Sequence, residues 1–172
     1  YDPYSDRGSV AEQHAFRPIG FQRNQEVHIM QIRNDVPEDI AAICWLAFGP
    51  NAFNGIAPFY TNVTDTPAQY RDTKAKFNIS NMYWLTHAIT TIADDHPKRY
   101  NAMLEDLKQN TIAYGRHVLM TTDQAAAKLT GKKVQDCLQA ANEKTAQGAY
   151  NYAMKCLGDM VETGSLQIRL NY

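Results

Sequence analysis

No stretch of this chain approaches the roughly 20 consecutive apolar residues that a membrane-spanning helix needs. Neither sign of charge prevails, since 17 lysines and arginines stand against 18 aspartates and glutamates, a formal net charge of -1. That balance removes any general electrostatic reason to bind nucleic acid or an anionic membrane surface. Cysteine is scarce. Cys44, Cys137 and Cys156 are an odd number, widely spaced and without a Cys-x-x-Cys pair, which speaks against a zinc ribbon or a redox dithiol. Each sits among apolar or helical neighbours, so all three read as reduced, structural thiols of a cytoplasmic protein. The opening Tyr1-Asp2-Pro3-Tyr4-Ser5-Asp6-Arg7 has neither a basic region nor an apolar run, and no secretory signal is expected there.

Several site signatures are missing as well. His14, His28, His87, His96 and His117 include no His-x-x-x-His pair and no Cys/His cluster, so no metal is expected and each reads as a surface or core histidine. No Gly-x-Gly-x-x-Gly or Walker loop offers a phosphate cradle, and no Gly-x-Ser-x-Gly elbow offers an activated serine. The thiols are poor nucleophiles where they stand: Cys44 in an apolar run, Cys137 and Cys156 on the packing stripe of a helix. The turn-rich segment 49–55 follows an apolar strand; a loop at a strand end can line a site, but a simple connection is the plainer reading.

What is present is a chain of 172 residues, 44% of them hydrophobic, enough for one domain with its own core. Its grammar changes near residue 75, because six of the seven prolines lie at or before Pro67. Residues 1–75 therefore read as strands and loops, and residues 76–172 as helices with a final strand. A first strand is expected over 26–33, with Val27 and Ile29 on one face and Met30 and Ile32 on the other. A second, over 40–48, is apolar on both faces and must be covered on both. Self-association through that strand is one way to cover it. Apolar residues at Ile79, Met82, Leu85, Ile89 and Ile92 predict a helix ending before Pro97, which suits the next helix's first turn. The following stripe, from Tyr100 to Leu129, is long enough that a kink near Gly115 or Thr121-Thr122 is expected. Gly131 precedes a third helix whose seam is small in the middle, at Ala141, Thr145 and Ala149. The alternation Leu166, Ile168, Leu170 predicts a closing strand over 165–171.

Arginine offers the best candidate chemistry. Arg17, Arg23 and Arg33 flank the first strand, with Gln31 between, and a guanidinium at a strand end can clamp a carboxylate or stabilise developing negative charge. A solvated arginine on a strand margin satisfies the same spacing.

The run Arg17-Pro18-Ile19-Gly20-Phe21-Gln22-Arg23-Asn24-Gln25-Glu26-Val27-His28-Ile29-Met30-Gln31-Ile32-Arg33 occurs with Trp45-Leu46-Ala47-Phe48-Gly49-Pro50 and Ala57-Pro58-Phe59-Tyr60. Together they resemble the C-terminal part of the cysteine dipeptidases of lactic acid bacteria. These are N-terminal-nucleophile hydrolases, more distantly similar to secernins and penicillin V acylases. The resemblance covers essentially the whole chain. It implies an α+β fragment of a four-layer αββα sandwich, dipeptide substrates, no cofactor, and an N-terminal cysteine whose own amine serves as base. Tyr1 is no such nucleophile, so the catalytic segment is expected on a preceding stretch of chain, and this chain alone is expected to be inactive. By the same resemblance Arg23 matches the arginine near the nucleophile, while Arg17, Gln31 and Arg33 are candidates for holding substrate. A homo-oligomer is expected. The rival reading is a non-enzymatic helical module, with residues 78–162 serving oligomerisation or partner binding and leaving apolar stripes exposed on the helices.

Overall fold

The computed structural model describes residues 24–50 and 53–166. Three strands come first: β1 (Glu26–Ile32), β2 (Ala42–Phe48) and β3 (Ala57–Tyr60), with a single helical turn α1 (Glu38–Ala41) between the first two. Three long helices follow, α2 (Met82–Asp95), α3 (Pro97–Ala126) and α4 (Lys132–Ser165). The fold is α+β, as the sequence predicts. The sheet is antiparallel in the order β1-β2-β3. Its register places Ile29 opposite Trp45 and Met30 opposite Cys44, then Cys44 opposite Phe59 and Trp45 opposite Pro58.

The second strand begins two residues later than expected. Pro37, with φ −54°, starts a helical turn, and the Ile40 amide donates to the Pro37 carbonyl at 3.1 Å. That turn takes Ile40 and Ala41, leaving Ala42 to open β2. The segment Ala57–Tyr60, legible only as a motif, is a strand buried along its whole length. A proline inside it is tolerable because Tyr60 turns its own N–H away from β2, toward α4. Pro58, two residues earlier, turns its ring nitrogen the same way and forfeits no ladder bond.

Alternation along β2 and β3 sends side chains into two cores. Leu46 and Phe48 join Ala57 and Phe59 against α2, the first half of α3 and the second half of α4. Ile43 and Trp45 join Tyr60 against the second half of α3 and the first half of α4. The doubly apolar strand thus finds cover on both sides within this chain.

α3 is a single continuous helix through Gly115 and Thr121-Thr122. Gly115 is a contact device. A Cβ there would stand 2.3 Å from Pro58 Cδ, so the missing side chain lets α3 rest on β3. Thr121 is absorbed by its own helix, donating to the His117 carbonyl at 3.0 Å. Pro97 occupies the first turn of α3 as expected, and the small seam of α4 is buried at Ala141, Thr145, Ala146 and Ala149. The closing strand does not start where alternation suggested. Ser165 ends α4, Leu166 keeps helical angles (φ −67°, ψ −13°), and 167–172 lie outside the described residues.

Candidate functional site

The two ends of β1 carry different chemistry. Six steps from Glu26 to Ile32 span about 20 Å at 3.3 Å per residue, whereas a dipeptide extends about 7 Å. One substrate therefore cannot touch both ends.

At the far end, Arg33 is committed to the fold. Its Nη1 donates to Asp123 Oδ2 at 2.6 Å, its Nη2 to Asp123 Oδ1 at 3.1 Å, and Nη2 also reaches the Ile40 carbonyl. The Tyr60 hydroxyl donates to Asp123 Oδ1 at 2.7 Å, and the guanidinium lies 5.8 Å from the Tyr60 ring centre. Arg33 and Asp123 side chains are 14% and 22% exposed, so this pair, joined by two parallel bonds, is largely dry. Burial by itself lowers the Arg33 pKa, but the bond to Asp123 and its charge outweigh that and raise it. Burial, then the bond to Asp123, pushes the Tyr60 phenol well above its ordinary value. The result is a clasp tying β1, β3 and α3 together. Gln31, on the same strand, accepts from the Trp45 indole N–H at 2.8 Å. Arg17 and Arg23 lie outside the described residues.

The near end, where Asn24 follows Arg23 in the chain, gathers groups that spacing did not reveal. Gln25 Oε1 accepts from the Tyr83 hydroxyl at 2.7 Å, and the Gln25 carbonyl accepts from the Gly49 amide at 2.8 Å. Gly49 has φ +71°, and a Cβ on it would meet Thr86 Oγ1 at 3.1 Å, Asn54 Nδ2 at 3.3 Å and His87 Cε1 at 3.4 Å. Only glycine suits both that angle and that crowding. Asn54 is buried, donates to the Pro50 carbonyl at 2.9 Å, and keeps its Oδ1 buried without a donor. His87 Nδ1 lies 2.7 Å from the Tyr83 carbonyl. A carbonyl only accepts, so Nδ1 is the donor in this contact. The Tyr83 and His87 rings stack with centres 4.2 Å apart. This end of the sheet thus gathers the His87 imidazole, the Tyr83 phenol bonded to Gln25, and a buried Asn54 amide oxygen without a donor. The i,i+4 spacing of Tyr83 and His87 was the available signal, but it has no force until Gly49 and Asn54 are brought beside it.

No activated nucleophile stands out among the thiols. Cys44 lines a depression of about 150 Å³ with Phe59, Tyr70 and Asn142, and burial, then Glu26, raises its pKa. Burial pushes Cys156 up to about 11. All three cysteines are free thiols. Among the described residues no group of three His, Cys, Asp or Glu could hold a metal ion, and no helix is long and apolar enough to cross a membrane.

The sequence profile of peptidase family C69 matches residues 1–111. The chain is 42% identical over all 172 residues to "Dipeptidase A" of Lactobacillus helveticus, covering 36% of that protein. It is 40% identical over the same 172 residues to "Probable dipeptidase B" of Lactococcus lactis subsp. lactis (strain IL1403), again covering 36%. Against "Dipeptidase" of Bifidobacterium longum (strain NCC 2705), identity is 33% over 144 residues, 84% of this chain and 27% of the relative. The chain therefore spans roughly a third of the length of the relatives it matches.

Proposed function

Because the chain belongs to peptidase family C69, we propose that it is the C-terminal part of an enzyme that hydrolyses dipeptides. The observation that carries this reading is the end-to-end match, 42% identical over 172 residues, to a protein named for that activity. The nucleophile is an N-terminal cysteine on a segment outside this chain. Two findings support placing it there: the matched relatives are almost three times as long as this chain, and Cys44 and Cys156 have pKa values raised by burial, the wrong direction for attack.

In that reading the cysteine's α-amine takes the thiol proton and the thiolate attacks the peptide carbonyl carbon. The C–N bond breaks, the leaving amine takes the proton, and a thioester remains. Water then attacks the thioester, releasing a carboxylic acid and restoring the thiol. Arg23 is the candidate to stabilise the negative charge that passes from thiolate to oxyanion. Arg23 precedes the near end of β1 in the sequence, three positions before Glu26. Arg17 remains a candidate for the substrate's polar groups, whereas Gln31 lies toward the far end of β1, beyond a dipeptide's reach from the near end, and already accepts from Trp45. Arg33 is a weaker candidate too, since both its terminal nitrogens are engaged by Asp123 and Ile40.

The test is made on the intact polypeptide with dipeptides, following product by mass spectrometry. Arg23→Ala is expected to lower kcat/KM by about 100-fold or more, the usual cost of losing a charge stabiliser. An unchanged kcat/KM removes Arg23 from the mechanism, and no turnover of any dipeptide by the unmodified enzyme refutes the reading itself.

A further inference from the structure

The two margins of the sheet are finished in opposite ways. β3 is four residues long, contains Pro58, and is sealed by α4. Buried Asn142 receives the Tyr60 N–H on its Oδ1 at 2.8 Å and donates from Nδ2 to the Tyr60 carbonyl at 2.9 Å. One side chain thus does the pairing that a further strand would do.

Among the described residues, nothing of the kind finishes β1. The Gly49 amide donates to the Gln25 carbonyl at 2.8 Å and the Arg33 amide to the Ala41 carbonyl at 3.0 Å, so odd-numbered residues turn their backbone groups toward β2. By the two-residue period, Glu26, His28, Met30 and Ile32 turn theirs outward, and among the described residues no strand lies on that side. Soluble proteins blunt such an edge with lysine, proline, a bulge or shortness. β1 has seven residues, no proline and an unbroken register, and its charged side chain, Glu26, stands at the first position beside His28. Ile29, Met30 and Ile32 are 56%, 61% and 76% exposed, and they alternate between the two faces. From Ile29 onward the strand is thus apolar on both faces, with Gln31 as the exception, and among the described residues nothing on its outer side blunts it.

We propose that β1 is an interior strand of a larger sheet, paired along its outer edge with a strand of the same polypeptide from outside these 172 residues. The occupant follows from length, since this chain accounts for 36% of each of the two relatives matched end to end. The proposal rests on the reading of the chain as part of a longer C69 enzyme. It also locates where the missing part joins: along β1, whose near end leads back to Arg23. The joining strand carries apolar side chains on both faces, beside Ile29 on one and beside Met30 and Ile32 on the other.

Hydrogen exchange on the intact polypeptide tests it. The outward amides of His28, Met30 and Ile32 should exchange within about tenfold of the inward amides of Val27, Ile29 and Gln31, as expected for one cooperative unit. Outward amides about 100-fold faster overturn the proposal. Protection that disappears on dilution points to a second copy and overturns it equally. A photoreactive methionine at position 30 identifies the neighbour. A cross-link within one molecule to a peptide outside residues 1–172 supports the assignment, and one inside that range or between molecules refutes it. Dipeptide turnover is measured on the same sample. Its absence beside a protected strand would count against the enzymatic reading and leave the pairing standing.

Discussion

Asn142 holds a position that few residues could fill. It needs a donor and an acceptor on one short planar group, aimed at a main chain where Tyr60 is only 2% exposed. Asn142→Leu keeps the volume and removes both bonds, leaving a buried N–H and C=O unmatched at about 1–3 kcal/mol each. Urea unfolding should show a loss of about 3 kcal/mol, and a loss below about 0.5 kcal/mol would mean that water satisfies Tyr60. Titration gives a second test at this scale. Cys156, whose thiol lies 3.7 Å from the Met103 carbonyl, has its pKa pushed up to about 11 by burial, with Asp159 adding. Burial raises Tyr70 and Tyr60 too. For groups raised in the folded state, the stabilisation is complete below the unfolded value and is lost as pH climbs through the folded one. The Tm should therefore fall from about pH 9 upward, and the fall should be shallower in Cys156→Val. An equally steep fall in that variant would clear Cys156 of responsibility. Cys156 is legible in the sequence as a thiol on a helix's packing stripe, but Asn142 is not. Asn142 looks like any polar residue on a helix, and its partner is 82 positions away.

Elements were more legible than the contacts between them, and the reason is local. Helical periodicity and a proline suited to a first turn at Pro97 are written within a few residues, so α2, α3 and α4 follow directly. β1 follows from alternation, and its two faces are those expected. β3 was hidden because its burial depends on α3 and α4, which come later in the chain, and because proline argues against a strand until its direction is known. The α3–α4 seam shows the same dependence. A Cβ on Gly148 would meet the Tyr114 ring at 2.1 Å, whereas one on Gly158, in the same helix, would meet nothing within 4 Å. Gly148→Ala should therefore cost about 1–3 kcal/mol through overpacking, while Gly158→Ala should add about 0.5–1 kcal/mol from helix propensity. Equal effects in thermal melts would show that the helices slide apart freely. The candidate site was the least legible part. Arginine spacing pointed to both ends of β1, but only folding separates an Arg33 clasped by Asp123 from a near end where Gly49, Asn54, Tyr83 and His87 converge.

At the scale of the molecule, exposed apolar surface decides between the two readings of the chain. A helical docking module would leave a stripe on α2, α3 or α4. Among the described residues, the large exposed apolar side chains on those helices are Met120 and Val161, while Ile29, Met30 and Ile32 crowd onto β1. The exposed apolar side chains thus cluster on β1 rather than along a helix, and a lysine there should act differently in two contexts. In the 172-residue chain alone, Met30→Lys places a charge on an already open edge, so its Tm should change little, by the equivalent of about 0.5 kcal/mol or less. Light scattering should then show less self-association, because a charged edge resists pairing. In the intact polypeptide the same lysine must lose its water against a neighbouring strand, at a cost of about 2 kcal/mol or more, and the Tm should drop. The contrast between a neutral and a destabilising lysine is the diagnostic. A lysine equally harmless in both proteins would mean that β1 stays at the margin of the sheet in the whole enzyme, and that the remainder of the molecule joins this fragment somewhere else.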